Sequence, residues 1–155
     1  MILAVATIIS GGQTGAERGA LDAAIELGIP HGGTCPKGRP AEDGVIPAKF
    51  ILKESNGKDT PDRTEPNVAN SDGTMIFTFG RLTGGSKITA EFARKHGKQW
   101  LHLDLNAEAT DYAVKCVREW LAEHDIKILN VAGGRESESA GLHGAVKDLL
   151  TRVFR

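Results

Sequence analysis

Three times in this chain a short apolar run ends in paired glycines and gives way at once to apolar residues at helical spacing. The three junctions are Ser10-Gly11-Gly12-Gln13-Thr14-Gly15, Leu82-Thr83-Gly84-Gly85-Ser86 and Ala132-Gly133-Gly134-Arg135-Glu136-Ser137. A strand that feeds a helix through a tight turn, and does so repeatedly, builds a parallel sheet with crossover helices. The expected fold is therefore α/β, a Rossmann-like three-layer sandwich with a mostly parallel sheet of five or six strands. Runs such as Met75-Ile76-Phe77 and Ile128-Leu129-Asn130-Val131, apolar at successive positions, suit strands covered on both faces.

Helical spacing predicts four helices, over Ala16 to Leu27, Ser86 to His96, Glu108 to Glu123 (with Asn106 as N-cap) and Glu138 to Phe154. Gly28 and Gly97 stand where helix C-termini need left-handed residues. Strands are expected at Leu3 to Ile9, Phe50 to Lys53, Thr74 to Phe79, Gln99 to Asp104 and Ile126 to Ala132, with a short one near Pro30. At 155 residues the chain suits a single domain over 1–155. Between Thr34 and Gly73 the periodicity fades among five prolines. That irregular segment reads as a functional cover, over its own site or a neighbour's, or as an oligomer arm.

Charge and cysteines narrow the function. A net charge of -1 supplies no basic field for nucleic acid, so none is expected as a partner. Cys35 and Cys116 are far apart and outside any CxxC pattern, which suits free thiols in a reducing cytoplasmic compartment. The opening run Met1 to Ile9 lacks a basic flank and reads as a strand, not a leader, and no run is long enough to span a bilayer. The five histidines form no metal-ligating pattern, so no metal site is expected.

The glycine turns carry the functional signal. Glycine lets backbone N–H groups approach a ligand, and a helix start favours an anion. The candidate ligand-binding residues are Gly11, Gly12, Thr14 and Gly15 in the first turn, Gly84, Gly85 and Ser86 in the second, and Gly133, Gly134 and Arg135 in the third. Arg63 is the candidate cation from the irregular segment; Lys37 and Arg39 read either as further cations over the crevice or as solvated surface. Each turn alone is equally a packing device, and Arg135 is equally a partner for Glu136 or Glu138. Parallel strands, however, aim all three turns at one crevice. The spacing matches neither GxGxxG nor a P-loop, and no GxSxG elbow occurs. Glu17, Glu91 and Glu136 are the carboxylates near the crevice.

These blocks together resemble the bacterial family named "putative molybdenum carrier", circularly permuted YpsA-type members of the SLOG superfamily. The resemblance rests on Ser10 to Gly15 with Leu21-Asp22-Ala23-Ala24, Cys35 to Gly38 with Ala41 to Gly44, Arg63-Thr64-Glu65 with Asn67, Leu82 to Ser86, and Asn130 to Gly133 with Arg135 to Ser137. It implies a Rossmann-like fold binding a nucleotide-like ligand or carrying the molybdenum cofactor, a phosphorylated pterin. The related lysine-decarboxylase-like phosphoribohydrolases are similar in carrying PGGxGTxxE at a helix start. Gly84 and Gly85 on that glycine pair put Glu91 at the acidic position, but Thr83, Lys87 and Ile88 depart from the motif. Three readings stand: a binding or carrier protein for a phosphate-bearing ligand, a nucleotide N-glycosidic hydrolase using Glu91 or Glu17, and a homo-oligomeric scaffold with purely architectural turns.

Overall fold

The computed structural model describes residues 3–57 and 59–155. Its main sheet contains five parallel strands, β1 (Thr7–Ile9), β2 (His31–Gly32), β7 (Gly73–Thr78), β8 (Gln99–Asp104) and β9 (Ile128–Gly133), in the order β2-β1-β9-β7-β8. Counted from β9 instead of β1, this order reads 3-2-1-4-5, the doubly wound arrangement with its start displaced along the sequence. Helices α1 (Ala16–Leu27), α4 (Thr110–Glu123) and α5 (Leu142–Phe154) pack together on one face, and α2 (Thr60–Ala69) with α3 (Gly84–Lys95) on the other.

The core lies between these layers. Ile8, Met75, Phe77, Leu129 and Val131 from the sheet meet Ala20, Val117, Leu121, Val146 and Leu150 from the helices, all essentially inaccessible. Removing any of the larger side chains would cost on the order of 2–5 kcal/mol. Gly19 allows α1 to approach α5 closely, because a Cβ there would lie 2.5 Å from the His143 carbonyl oxygen. Asn130 in the central strand donates to Thr74 Oγ1 at 3.2 Å, and Ser10 Oγ donates to the Val131 carbonyl at 2.6 Å. The buried polar groups of the sheet are thus partnered.

The stretch 34–73 is more ordered than its composition predicts. Short strands β3 (Thr34–Cys35) and β6 (Lys53–Glu54) pair in parallel, while β4 (Pro40–Ala41) and β5 (Gly44–Val45) form a small antiparallel hairpin. Ile46, Phe50 and Cys35 bury themselves against Leu21 of α1, a second small core. Arg39 organises this loop, its Nη2 donating to the carbonyls of Pro47 and Phe50 at 3.0 and 2.8 Å. It is a staple of the loop, not a side chain over the crevice. α2 was not expected at all. Lys58 lies outside the described residues, as do Met1 and Ile2 of the opening apolar run.

Several boundaries differ from expectation for local reasons. The strand expected at Phe50 to Lys53 is only Lys53–Glu54, because Phe50 is turned inward as core. α4 starts at Thr110 with Ala109 as N-cap, since Asn106 already belongs to a turn in which its N–H donates to Asp104 Oδ1 at 2.9 Å. α5 starts at Leu142 instead of Glu138. Gly141, at φ 92, breaks the helical path, and the Glu136 carboxylate accepts from the N–H groups of Gly141 and His143 at 2.8 and 3.0 Å.

Candidate functional site at the switch of strand order

β9 and β7 are neighbours, but the chain leaves them toward opposite faces, into α5 and α3. Such a switch opens a crevice beyond the strand ends. A cleft of about 400 Å³ lies there. The β7–α3 turn contributes Thr78, Arg81, Gly84, Gly85 and Ser86, and the β9–α5 turn contributes Gly133, Gly134, Arg135 and Glu138. Gln13 and Glu17 reach in from the start of α1, and Arg63 and Thr64 from α2.

The start of α3 is the open wall. A Cβ at Gly84 or Gly85 would meet nothing within 4 Å, and Gly84 has φ 49. The first N–H groups of a helix lack intrahelical acceptors, so an anion can approach this backbone directly. Ser86 is already committed. Its hydroxyl donates to the Thr83 carbonyl at 2.7 Å and accepts the Thr83 N–H at 3.0 Å, which fixes the helix entry.

Arg63 from the neighbouring α2 lines the same cleft and is only 7% exposed. Its Nη2 lies 3.5 Å from Glu17 Oε2, at the outer limit of a hydrogen bond, and its Nε has no partner among the described residues. A buried guanidinium is costly unless it is well paired. This one keeps donor capacity in reserve. Gly11 makes room for the pair, since a Cβ there would come within 2.6 Å of Glu17 Oε1 and 2.9 Å of Arg63 Nε. Arg81 and Arg135 add two further guanidiniums that form no ion pair among the described residues. The expected alternative pairing of Arg135 with Glu136 or Glu138 is not formed. Three arginines face the carboxylates of Glu17 and Glu138, so the cleft is cationic.

The remaining glycine-turn residues lie elsewhere or serve the backbone. Gly12 faces Ile46 and Leu52, whose methyl groups would lie 2.9 and 2.8 Å from a Cβ, so it is roofed by the 34–57 loop. At Gly15 a Cβ would sit 2.8 Å from Glu136 N and closer still to the Gly134 carbonyl, a crossing of two backbones. The Gly134 N–H is spent on the Phe77 carbonyl at 3.1 Å. The Thr14 hydroxyl hydrogen-bonds the Glu42 carboxylate, which also accepts from Ser137 N and Oγ at 3.0 and 2.5 Å. These bonds, those from Ser137 first, hold the Glu42 carboxyl below its ordinary range. The chain thus fills its own seat between the first and third turns. Beside it Arg18 pairs with Asp43 and donates to the Gly12 carbonyl at 3.0 Å.

Of the candidate acids, Glu17 lines the cleft, Glu136 is occupied with α5, and Glu91 is exposed on α3 outside the cleft wall. Beneath the β7 turn, Asp104 accepts the Gly80 N–H at 2.8 Å, and His102 Nε2 lies 2.7 Å from Thr78 Oγ1. Burial lowers the His102 pKa, opposed by Asp104. Among the described residues no group of His, Cys, Asp and Glu could hold a metal ion. Sequence reading missed Arg81, Thr78, Thr64 and Glu138. Arg81 stood within reach, between the Gly80 kink and the Gly84-Gly85 turn.

No helix among the described residues is long and apolar enough to cross a membrane. No curated protein matches the sequence. A crystal structure from Syntrophus aciditrophicus SB, of a protein described as a "putative molybdenum carrier protein", is 45% identical, with a TM-score of 0.95 over 98% of this chain and 96% of that one. The model of the circularly permutated YpsA SLOG family matches residues 8–154. The strand order shows the same permutation physically, a doubly wound sheet whose first strand has become its last. On sequence and architecture together, the chain belongs to the circularly permutated YpsA SLOG family.

Proposed function

We propose that this protein binds a small phosphate-bearing ligand in the switch-point cleft, as a binding or carrier protein. The observation that carries the reading is Arg63, nine-tenths buried with an unpartnered Nε, in the same cleft as the open glycine start of α3. A guanidinium fork and helix N–H groups are complementary to a phosphate's oxygens. The ligand class is a nucleotide or a molybdenum cofactor-like molecule, the latter supported by the name of the Syntrophus relative. Neither cysteine lines the cleft. A molybdenum-containing cargo would therefore be held through its phosphate, not by a protein thiolate. Two free cysteines support a cytoplasmic setting, and self-association remains part of the proposal, readable by sedimentation.

The test is calorimetric titration with inorganic phosphate and nucleoside monophosphates. Arg63→Gln and Gly85→Leu should each weaken binding at least tenfold, about 1.4 kcal/mol, while Lys37→Gln on the exposed loop leaves it unchanged. Unchanged affinity in folded Arg63→Gln and Gly85→Leu proteins would overturn the reading. A second reading, N-glycosidic hydrolysis of a nucleotide, is favoured by Glu17, a buried carboxylate on the cleft wall beside Arg63. There Glu17 would stabilise developing positive charge at the sugar or activate water. Free base released by the wild type but not by Glu17→Gln would establish it; no release above the protein-free rate would remove it.

A further inference from the structure

The cleft does not end at its cationic wall. Phe79 borders it and also borders a second open groove of about 480 Å³ that runs between α4 and α5. The groove differs in chemistry. Its floor is Phe79, Leu105, Ala113, Ala145 and Leu149, and its rim carries Glu108 and Asp148. The cations at the groove are committed, Arg152 to Asp111 and Arg155 to Glu26. Glu108 and Asp148 have no side-chain hydrogen bond or ion pair among the described residues. A cationic pocket thus adjoins, across one aromatic ring, a mixed trough whose uncommitted polar groups are two carboxylates and the hydroxyls of Thr110 and Thr151.

We infer that this groove receives the heterocycle of the same ligand, an amino-bearing base of a nucleoside monophosphate whose phosphate rests at Arg63 and the start of α3. The inference rests on the anion-binding reading above. Small-molecule sites combine apolar surface with polar groups that fix orientation, and this groove sets Phe79, Leu105 and Ala145 beside the carboxylates of Glu108 and Asp148. Phe79 and Leu105, both half-buried, supply surface for a planar ring. A carboxylate accepts hydrogen bonds from a ring N–H and an adjacent exocyclic amino group together, so guanine, with both donors on one edge, suits Glu108 or Asp148. Hypoxanthine lacks the amino donor. A bare sugar phosphate leaves the groove empty.

The experiment titrates the full-length protein with inorganic phosphate, ribose 5-phosphate, IMP and GMP. GMP should bind at least tenfold more tightly than ribose 5-phosphate and several-fold more tightly than IMP. Ala145→Arg, at a half-buried helical position on the groove floor, should reduce GMP to the level of ribose 5-phosphate without changing ribose 5-phosphate itself. The double change Glu108→Gln with Asp148→Asn, at the rim and not in the core, should abolish the preference for GMP over IMP. If ribose 5-phosphate binds and is weakened by Arg63→Gln, yet GMP gains nothing over it, the groove assignment is overturned and the anion site stands. If none of the four binds, both fall.

Discussion

Gly15 and Gly85 look alike as letters in glycine-rich turns, yet they answer to different forces. Gly15 has φ 82, and a Cβ there would strike the backbone at Gly134 and Glu136. Gly85 is an ordinary helical position facing open space. Gly15→Ala should therefore destabilise the fold by more than about 2 kcal/mol through strain and overlap. Gly85→Ala should stabilise the ligand-free fold by about 0.5–1 kcal/mol by restricting the unfolded chain. Urea denaturation of the two variants measures both signs. The sequence exposed where glycine was needed but not what lay across from it, because the opposing backbone at Gly15 comes from residues about 120 positions away. The same limit hid the role of Glu42, whose carboxylate occupies the Thr14 and Ser137 seat although its Ala41 to Gly44 block stood out in the sequence.

At the scale of elements, the strands and helices built on apolar periodicity were legible, and α2 was not. Its buried face is Arg63, Thr64, Asn67 and Val68, which has helical spacing but is mostly polar, so a search for apolar periodicity passes over it. Pro66 inside the helix argues against it as well. Tertiary bonds overrule both signals. Asn67 Oδ1 accepts the Thr34 N–H at 2.8 Å and its Nδ2 donates to the Thr34 carbonyl at 2.9 Å, so the side chain pairs with β3 as another strand would. Asn67→Ala leaves both buried backbone groups unpaired, at about 1–3 kcal/mol each before relaxation. Hydrogen exchange across α2 should accelerate, and Arg63, one turn earlier, should lose its fixed position in the cleft. Protection in α2 equal to wild type would show that Val68 packing alone holds the helix.

At the scale of the whole molecule, the perturbed groups shape stability against pH. His102 has a folded pKa below 6.5, chiefly from burial, so the native state binds fewer protons than the unfolded one as pH drops past that value. Its contribution is full above 6.5 and is lost as pH falls through the folded value. Glu42 and Asp43, lowered by bonds from Ser137 and from Arg18, act alike below their ordinary values of 4.5 and 3.8. The urea midpoint should thus decline in two stages on acidification, and His102→Gln should remove the earlier stage. At high pH the Cys35 thiol, held above 9.0 by burial, adds a loss that begins as the thiol of the unfolded chain ionises near 9.0 and is complete above the folded value.

The displaced strand order also sets a timetable. β1 with β2 and β7 with β8 are two half-sheets that share no hydrogen bond, and only β9 joins them. On the ribosome β9 is the last of these five strands to be made, after the strands of both halves. Neither half can close its inner edge before residue 133 is available, so the central seam is knit last. The cleft, built against that seam, is completed only once β9 and its turn are in place. A nascent chain stalled earlier would hold Arg63 and the start of α3 but not the Gly133-Gly134-Arg135 wall of the cleft.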